Sequence, residues 1–440
     1  MSPPAPGADG GARTVLRGAR WPGDVAFEAG RVTEVGTIAG RSGDHVVDCG
    51  GGIVTPGLVN THHHLYQWLT RGRATGCDLF SWLTELYPVW ARLSPANVEA
   101  AARLGMAELA RSGVTTVFDH HYVVPSGDDT VFDAIASARA EVGVRLYLSR
   151  GSMDLGESDG GLPPDSVVEK TEAILSSTEA VANRLHDGDL VHVVVAPCSP
   201  FSVTPELMRE SAALARKLGL RLHTHLAETI DEERDCLARF GKRPLDLAEE
   251  LGWLGRDVWF AHGIHFDSAE ISRLGASGTG VAHCPSSNGR LGAGICRVRQ
   301  LLDAGAPVGL GVDGPASNEV GALFPEMRQA LYLARLLRRR PEDLRPVEAL
   351  GLATAGGAAC LGRGDLGRLE PGATADLAVW PAGDLADIED ALDGLVLGPD
   401  RKVSRLYVAG REIVADGEIV GLDLRRAREQ LAAEAQLLWS

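Results

Sequence analysis

No C-x-x-C pair occurs in this chain, and its seven cysteines (Cys49, Cys77, Cys198, Cys236, Cys284, Cys296 and Cys360) are odd in number and scattered over 440 residues. That spacing excludes a disulfide framework of the secreted type. No apolar run approaches the ~18–20 residues of a membrane-spanning helix. Basic residues are in short supply: 43 Lys and Arg stand against 59 Asp and Glu, a formal charge of −16. A general binder of nucleic acid or of an anionic membrane needs a basic face, so both classes are set aside. Residues 1–12 are rich in Pro, Gly and Ala and lack the apolar core of a signal peptide. They read as a flexible leader on a cytoplasmic protein. There is also no H-E-x-x-H, no P-loop and no P-C-x-x-C zinc signature. What is present is a 45% apolar composition, that of a globular chain, which excludes wholesale disorder.

The two ends share one pattern. Residues 13–55 and 366–420 alternate short apolar runs with Gly and charge, as short antiparallel strands do. They predict a small β-sandwich domain built from both chain ends, with Gly410 in a hairpin turn. Residues 421–440 predict a C-terminal helix. Between them, residues 56–365 alternate apolar runs with helical stretches. Candidate strands lie at 58–61, 115–119, 145–149, 191–196, 222–226, 258–261, 280–283 and 307–312. Ser94-Pro95 and Thr204-Pro205 open helices as N-cap and N1, while Gly113 and Gly219 close them. Eight such alternations over roughly 300 residues fit an α/β (β/α)8 TIM barrel, with a doubly wound sheet as the alternative.

Polar groups then fall at four predicted strand ends. His62-His63-His64 follows the first strand, and residues i and i+2 of a strand share a face. His62 and His64 can reach one metal ion together while His63 points away. A second strand ends in His223-Thr224-His225, with Glu228 three residues on; His262 ends a third and Asp313 a fourth. Imidazole is a good ligand for zinc or iron, and a carboxylate beside it suits proton transfer. Barrel active sites lie at these strand ends. Two motifs mislead. Gly309-x-Gly311-x-x-Gly314 spells a dinucleotide fingerprint but runs into Pro315 rather than a helix, and Gly156-x-Ser158-x-Gly160 lies in a Gly/Pro/Asp-rich loop instead of a strand–turn–helix.

Taken in order, these segments resemble the amidohydrolase superfamily. Pro56-Gly57-Leu58-Val59-Asn60-Thr61-His62-His63-His64 is similar to its P-G-x-[IV]-[ND]-x-H-x-H signature. His225-Leu226-Ala227-Glu228, Ala261-His262-Gly263, His283-Cys284-Pro285-Ser286-Ser287-Asn288, Gly311-Val312-Asp313-Gly314 and the stretch 367–377 resemble its later strand ends and its return into the β-domain. The resemblance is to the subgroup that deaminates purines, pterins and triazines. Within it, Leu79-Phe80-x-Trp82, Arg150-Gly151-Ser152-Met153 and Pro197-Cys198-Ser199-Pro200 look like the 8-oxoguanine deaminases.

That resemblance implies His62, His64, His225 and Asp313 as ligands of one Zn2+ per chain, or Fe2+ in its place. It implies Glu228, His262 and Asp313 as catalytic groups. No lysine stands at the fourth strand end for a carbamate bridge, which favours one metal over two. Gln67, Arg150, Ser199 and His120 or His121 are candidates for reading a heterocycle's polar edges, and Trp82, Tyr87 or Trp90 for its flat faces. The implied partner is a small heterocyclic substrate. The implied reaction turns 8-oxoguanine and water into urate and ammonia, with guanine, isoxanthopterin or a triazine as alternatives. A homo-oligomer is the family expectation.

Overall fold

Eight short apolar runs close into one parallel ring in the computed structural model, which describes residues 12–385 and 387–440. The ring strands are β1 (Leu58–Asn60), β2 (Val114–Asp119), β3 (Arg145–Ser152), β4 (Val191–Pro197), β5 (Arg221–Leu226), β6 (Val258–His262), β7 (Gly280–His283) and β8 (Val308–Leu310). Each lies parallel to the next, and β8 returns to β1 where Leu310 pairs with Asn60. Closure excludes the doubly wound alternative. β4 shows why these runs suit a ring: its valines are buried on both faces, as strands sandwiched between a packed interior and an outer layer of helices must be. Val59, Phe118, Tyr147, Val194, Trp259 and Ala282 fill the lower interior. Pro56-Gly57 begins β1 where a Cβ would fall 2.2 Å from Thr115, so only glycine lets β1 pass β2 at that point.

The helices begin and end on the residues that signal them. Ser94 caps Pro95–Arg111, its hydroxyl accepting from the Asn97 amide while Asn97 reaches back to Ser94. Thr204 caps Pro205–Leu218, and Gly219 ends that helix at φ 68°. An extra helix, Leu79–Trp90, interrupts the passage from β1 to β2. Its apolar positions Leu79, Trp82, Leu83, Leu86, Tyr87 and Trp90 are all buried, a spacing of three and four that gives one continuous face.

The chain ends form two sheets outside the ring. Thr14–Arg17, Asp24–Glu28, Arg31–Gly36 and His45–Asp48 make one, Ile53–Pro56, Leu377–Trp380, Arg405–Val408, Arg411–Ala415 and Glu418–Ile419 the other. The first is not wholly antiparallel as its pattern suggests. His45–Asp48 lies parallel to Thr14–Arg17, because residues 37–44 carry the chain back past two strands to the far edge. Leu16, Val25, Phe27, Val32, Val54, Val379 and Tyr407 pack between the sheets as one apolar cluster. Gly410 does form a hairpin turn, with Ala409 and Gly410 at φ 49° and 77°. The C-terminal helix, Leu424–Trp439, packs on Pro95–Arg111 and bonds Trp439 Nε1 to the Leu69 carbonyl at 3.2 Å. Of the expected leader only residue 12 lies within the described residues. Among the described residues no helix is long and apolar enough to cross a membrane.

One buried ion pair ties sandwich to ring. Arg145 of β3 has no exposed surface and faces Asp376 at 3.4 Å, and Asp376 also accepts the Ala409 amide of the hairpin at 2.7 Å. Arg145→Met is expected to leave Asp376 a buried, unpaired charge and to destabilise the fold by about 3–5 kcal/mol in denaturant melts.

Candidate active site

The ends of β1, β5, β6 and β8 bring their polar residues to one mouth of the ring. Past β1, His63 turns away from its neighbours: its Nδ1 donates to the Asp313 carbonyl at 2.6 Å, and the Asp313 amide donates to the His62 carbonyl at 3.1 Å. Asn60 Oδ1 accepts the Val312 amide at 3.1 Å. The segment carrying His62 and His64 is thus stitched to the turn carrying Asp313. That turn is strained. Asp313 adopts φ 58°, His262 71° and Ala227 54°. Left-handed conformations in non-glycine residues each cost ~1–3 kcal/mol and persist only where surrounding contacts enforce them. Three of them stand at three strand ends of the same mouth.

The histidines have committed their Nδ1 hydrogens elsewhere. His64 Nδ1 donates to the His120 carbonyl and His225 Nδ1 to the Cys198 carbonyl, each at 2.7 Å. His62 Nδ1 lies 2.9 Å from His223 Nε2, and His223 Nδ1 lies 2.9 Å from the Trp259 carbonyl. A carbonyl can only accept, so His223 keeps its hydrogen on Nδ1, its Nε2 accepts, and His62 Nδ1 donates. All three Nε2 atoms of His62, His64 and His225 are therefore bare lone pairs. His64 Nε2 lies 3.2 Å from His225 Nε2 and 3.2 Å from Asp313 Oδ1, while His62 Nε2 lies 3.4 Å from Asp313 Oδ1. Four acceptors converge with no hydrogen among them. Burial pushes His62 down to about 3 and His225 well below the usual imidazole range, so a proton on either of those two rings does not relieve this near neutrality. A divalent cation does. Three neutral imidazoles and one carboxylate form a set that leaves a further position open.

Around that cluster the other candidates divide. His262 Nδ1 donates to Asn288 Oδ1 at 2.8 Å, and its Nε2 stands 3.6 Å from Glu228 and 3.9 Å from Asp313 Oδ2. Burial, with the nearby Asp313 charge, pushes Glu228 up to about 8, so it holds a proton at neutral pH. Gln67, Trp82 and Tyr87 line the cavity over the cluster, together with Leu79, Leu83, Tyr122, Cys198, Phe201 and Leu291. Burial pushes the Cys198 thiol up to about 12, so it stays neutral and is no nucleophile. A larger surface groove, lined by Trp68, Phe324, Leu431 and Trp439, contains no histidine and none of these groups.

Four of the expected substrate contacts and Trp90 do not line that cavity. Arg150 is buried and clamps Glu169 through both arms at 2.7 and 3.0 Å. Ser199 bonds Ser202 at 2.9 Å. His121 packs on Phe132 and Tyr66. His120 stacks on His225 at 4.7 Å and belongs to the histidine cluster itself, with Nε2 given to the Ala196 carbonyl at 2.9 Å. Trp90 bonds Thr70 at 3.1 Å.

Other residues at this mouth carry no assignment from sequence. Ser287 donates to Asp313 Oδ2 at 2.6 Å, so the S-N of H-C-P-x-S-N orients Asp313 through Ser287 and His262 through Asn288. Glu232 accepts the amides of Ala227 and Glu228 at 2.8 and 2.9 Å and holds the strained turn that bears Glu228. Its position three residues after the N-cap Thr229 is the signal that could have found it. Glu232→Ala is expected to lower kcat roughly ten- to a hundredfold, the kinetic counterpart of the ~1–3 kcal/mol cost of leaving buried amides unpaired. Bound metal per chain should not change in that variant.

Comparison with known proteins accords with this geometry. The Amidohydrolase family's sequence model matches residues 53–413. The chain is 49% identical over 425 residues to the 8-oxoguanine deaminase of Pseudomonas aeruginosa, 94% of each protein. It is 37% identical over 454 residues to an isoxanthopterin deaminase of an unknown prokaryotic organism, 97% of this chain and 93% of that one. The solved structure of an atrazine chlorohydrolase from Arthrobacter aurescens TC1, complexed with zinc, superposes with a TM-score of 0.90 at 31% identity, covering 97% of this chain and 99% of that one. The matched residues take in every strand end that supplies the cluster, and the chain belongs to the amidohydrolase family.

Proposed function

We propose that this chain is a metal-dependent deaminase that hydrolyses 8-oxoguanine to urate and ammonia. The observation that carries the reaction class is the meeting of three imidazole nitrogens with Asp313, with the buried Glu228 carboxyl beside them, 3.6 Å from His262 Nε2. The substrate rests on the 49% identity to an 8-oxoguanine deaminase. His62, His64, His225 and Asp313 would hold one Zn2+ per chain, a metal present in the solved atrazine chlorohydrolase. Such an ion acts as a Lewis acid and makes water a competent nucleophile near neutral pH.

The chain's own groups then divide the proton work. Asp313 takes a proton from the attacking water, and its Oδ2, held by Ser287, keeps the carboxylate in place. His262, fixed by Asn288, orients that water through Nε2. Water adds to the ring carbon bearing the exocyclic amine. Glu228 gives its proton to the adjacent ring nitrogen, so negative charge does not accumulate on the ring. Asp313 passes the proton it took to the amine, the hydroxyl proton of the added water goes back to Glu228, the C–N bond breaks and ammonia leaves. Trp82 and Tyr87 from the extra helix wall the cavity against the planar base, and Gln67 offers an amide to its edge. For Arg150, Ser199 and His120 the bonds described above, and for His121 its packing on Phe132 and Tyr66, support positioning in place of contact. All seven cysteines are free, which accords with a reducing cytoplasm. Exposed Tyr332, Leu336 and Leu337 on one helix offer apolar surface for a homo-oligomer.

An ammonia-release screen is the direct test. 8-Oxoguanine is expected to exceed guanine and isoxanthopterin by at least about tenfold in kcat/KM. Release of chloride or alkylamine from a triazine, with no ammonia from any purine, would overturn the proposal. Glu228→Gln should keep its metal and lose ~10²–10⁴ in kcat. Asp313→Ala should lose metal and turnover together, and metal analysis of the unaltered protein should find close to one ion per chain.

A further inference from the structure

The i, i+2 pair on β5 leaves one histidine without a part in this chemistry. His225 reaches the cluster. His223 is fully buried behind it, with its ring 4.5 Å from Phe118 and 4.6 Å from Trp259, and it does not belong to the ligand group. Its one polar contact toward the site is the 2.9 Å bond from His62 Nδ1 to its Nε2. We infer that His223 is a positioning residue for the metal ion: it fixes the tautomer and ring orientation of His62 so that His62 Nε2 is always the bare donor. This rests on the metal-ligand reading given above.

The physical need is specific. A neutral imidazole carries one hydrogen, and His62 has two places to put it. On Nε2 it would face Asp313 Oδ1 at 3.4 Å. His62 and Asp313 would then satisfy each other and close the site to a cation. An acceptor at Nδ1 removes that competitor. For His64 and His225 the acceptor is a backbone carbonyl, of His120 and of Cys198. His62 alone among the three takes its acceptor from a side chain. That side chain is locked in turn, because the Trp259 carbonyl accepts from His223 Nδ1 and leaves Nε2 no choice but to accept. Trp259 closes the circuit by donating its indole N–H to the Thr61 carbonyl at 3.0 Å, one residue before His62. A hydrogen-bond partner that fixes a ligating histidine is a recognised determinant of metal affinity. Here that determinant is an imidazole on another strand.

The test uses the whole purified protein, stripped of metal and titrated with Zn2+ against a chelating dye. His223→Leu removes the acceptor at similar volume; His223→Gln keeps an amide oxygen near the Nε2 position. The Leu variant is expected to bind Zn2+ about 10–100-fold more weakly, and the Gln variant to recover to within about threefold of the unaltered chain. A folded Leu variant with unchanged Zn2+ affinity overturns the inference. So does equal weakening in both variants, which would trace the loss to packing. An unaltered chain that binds no Zn2+ sinks the metal reading itself, a distinguishable result. If the Leu variant does not fold, nitrogen-15 NMR of the unaltered, metal-free protein decides, with His62 assigned through His62→Asn. A hydrogen on Nδ1 of His62 is expected, and one on Nε2 overturns the inference.

Discussion

Lone pairs crowd together at the barrel mouth, and their mutual repulsion is the constraint that the surrounding structure answers. Uncharged imidazoles and a carboxylate do not gather in a buried space on their own account. They stay because each is held from behind. Carbonyls of His120 and Cys198, the ring of His223 and the hydroxyl of Ser287 take or give the hydrogens that would let the four groups pair among themselves. Strained backbone at Ala227, His262 and Asp313 belongs to the same account. Each of these turns is over-determined by a neighbour: Glu232 at Ala227, Asn288 at His262 and His63 at Asp313.

Much of this was legible in sequence, and the reason is periodicity. Apolar runs of strand length alternating with capped helices give the ring, and polar residues at run ends give the mouth. Two-residue alternation separates His62 and His64 from His63. The same rule also explains what went astray. On β3, Leu146 and Leu148 lie in the outer core and Tyr147 in the inner one. Arg150 shares parity with the leucines, so it faces the helices and finds Glu169. On β2, Phe118 is inner. His120 therefore joins the histidine cluster, and His121 turns outward to Phe132. A strand end is a place, and parity decides which of its residues enters the site.

Other residues left no periodic trace. Glu232 acts on backbone amides, and Ser287 and Asn288 on the far side of Asp313 and His262, and such bonds depend on where loops fold in space. The extra helix Leu79–Trp90 is intermediate. Its buried stripe reads as core packing, and it is that, but Trp82 and Tyr87 on the same stripe also wall the cavity. A helix between barrel and solvent can bury one face against the core and present part of it to a ligand.

The sandwich has a consequence for synthesis of the chain. Ile53–Pro56, which leads directly into β1, touches Trp21 through one bridge but pairs along its length with Leu377–Trp380, and β1 itself meets β8 at Leu310. A nascent polypeptide emerging from the ribosome thus carries its first ring strand for most of translation without its seam partner or its anchor. Such long-range pairings are slow to form and leave apolar edges open while they wait. Helper chaperones and low growth temperature should matter more to the yield of this protein than its buried core alone would suggest.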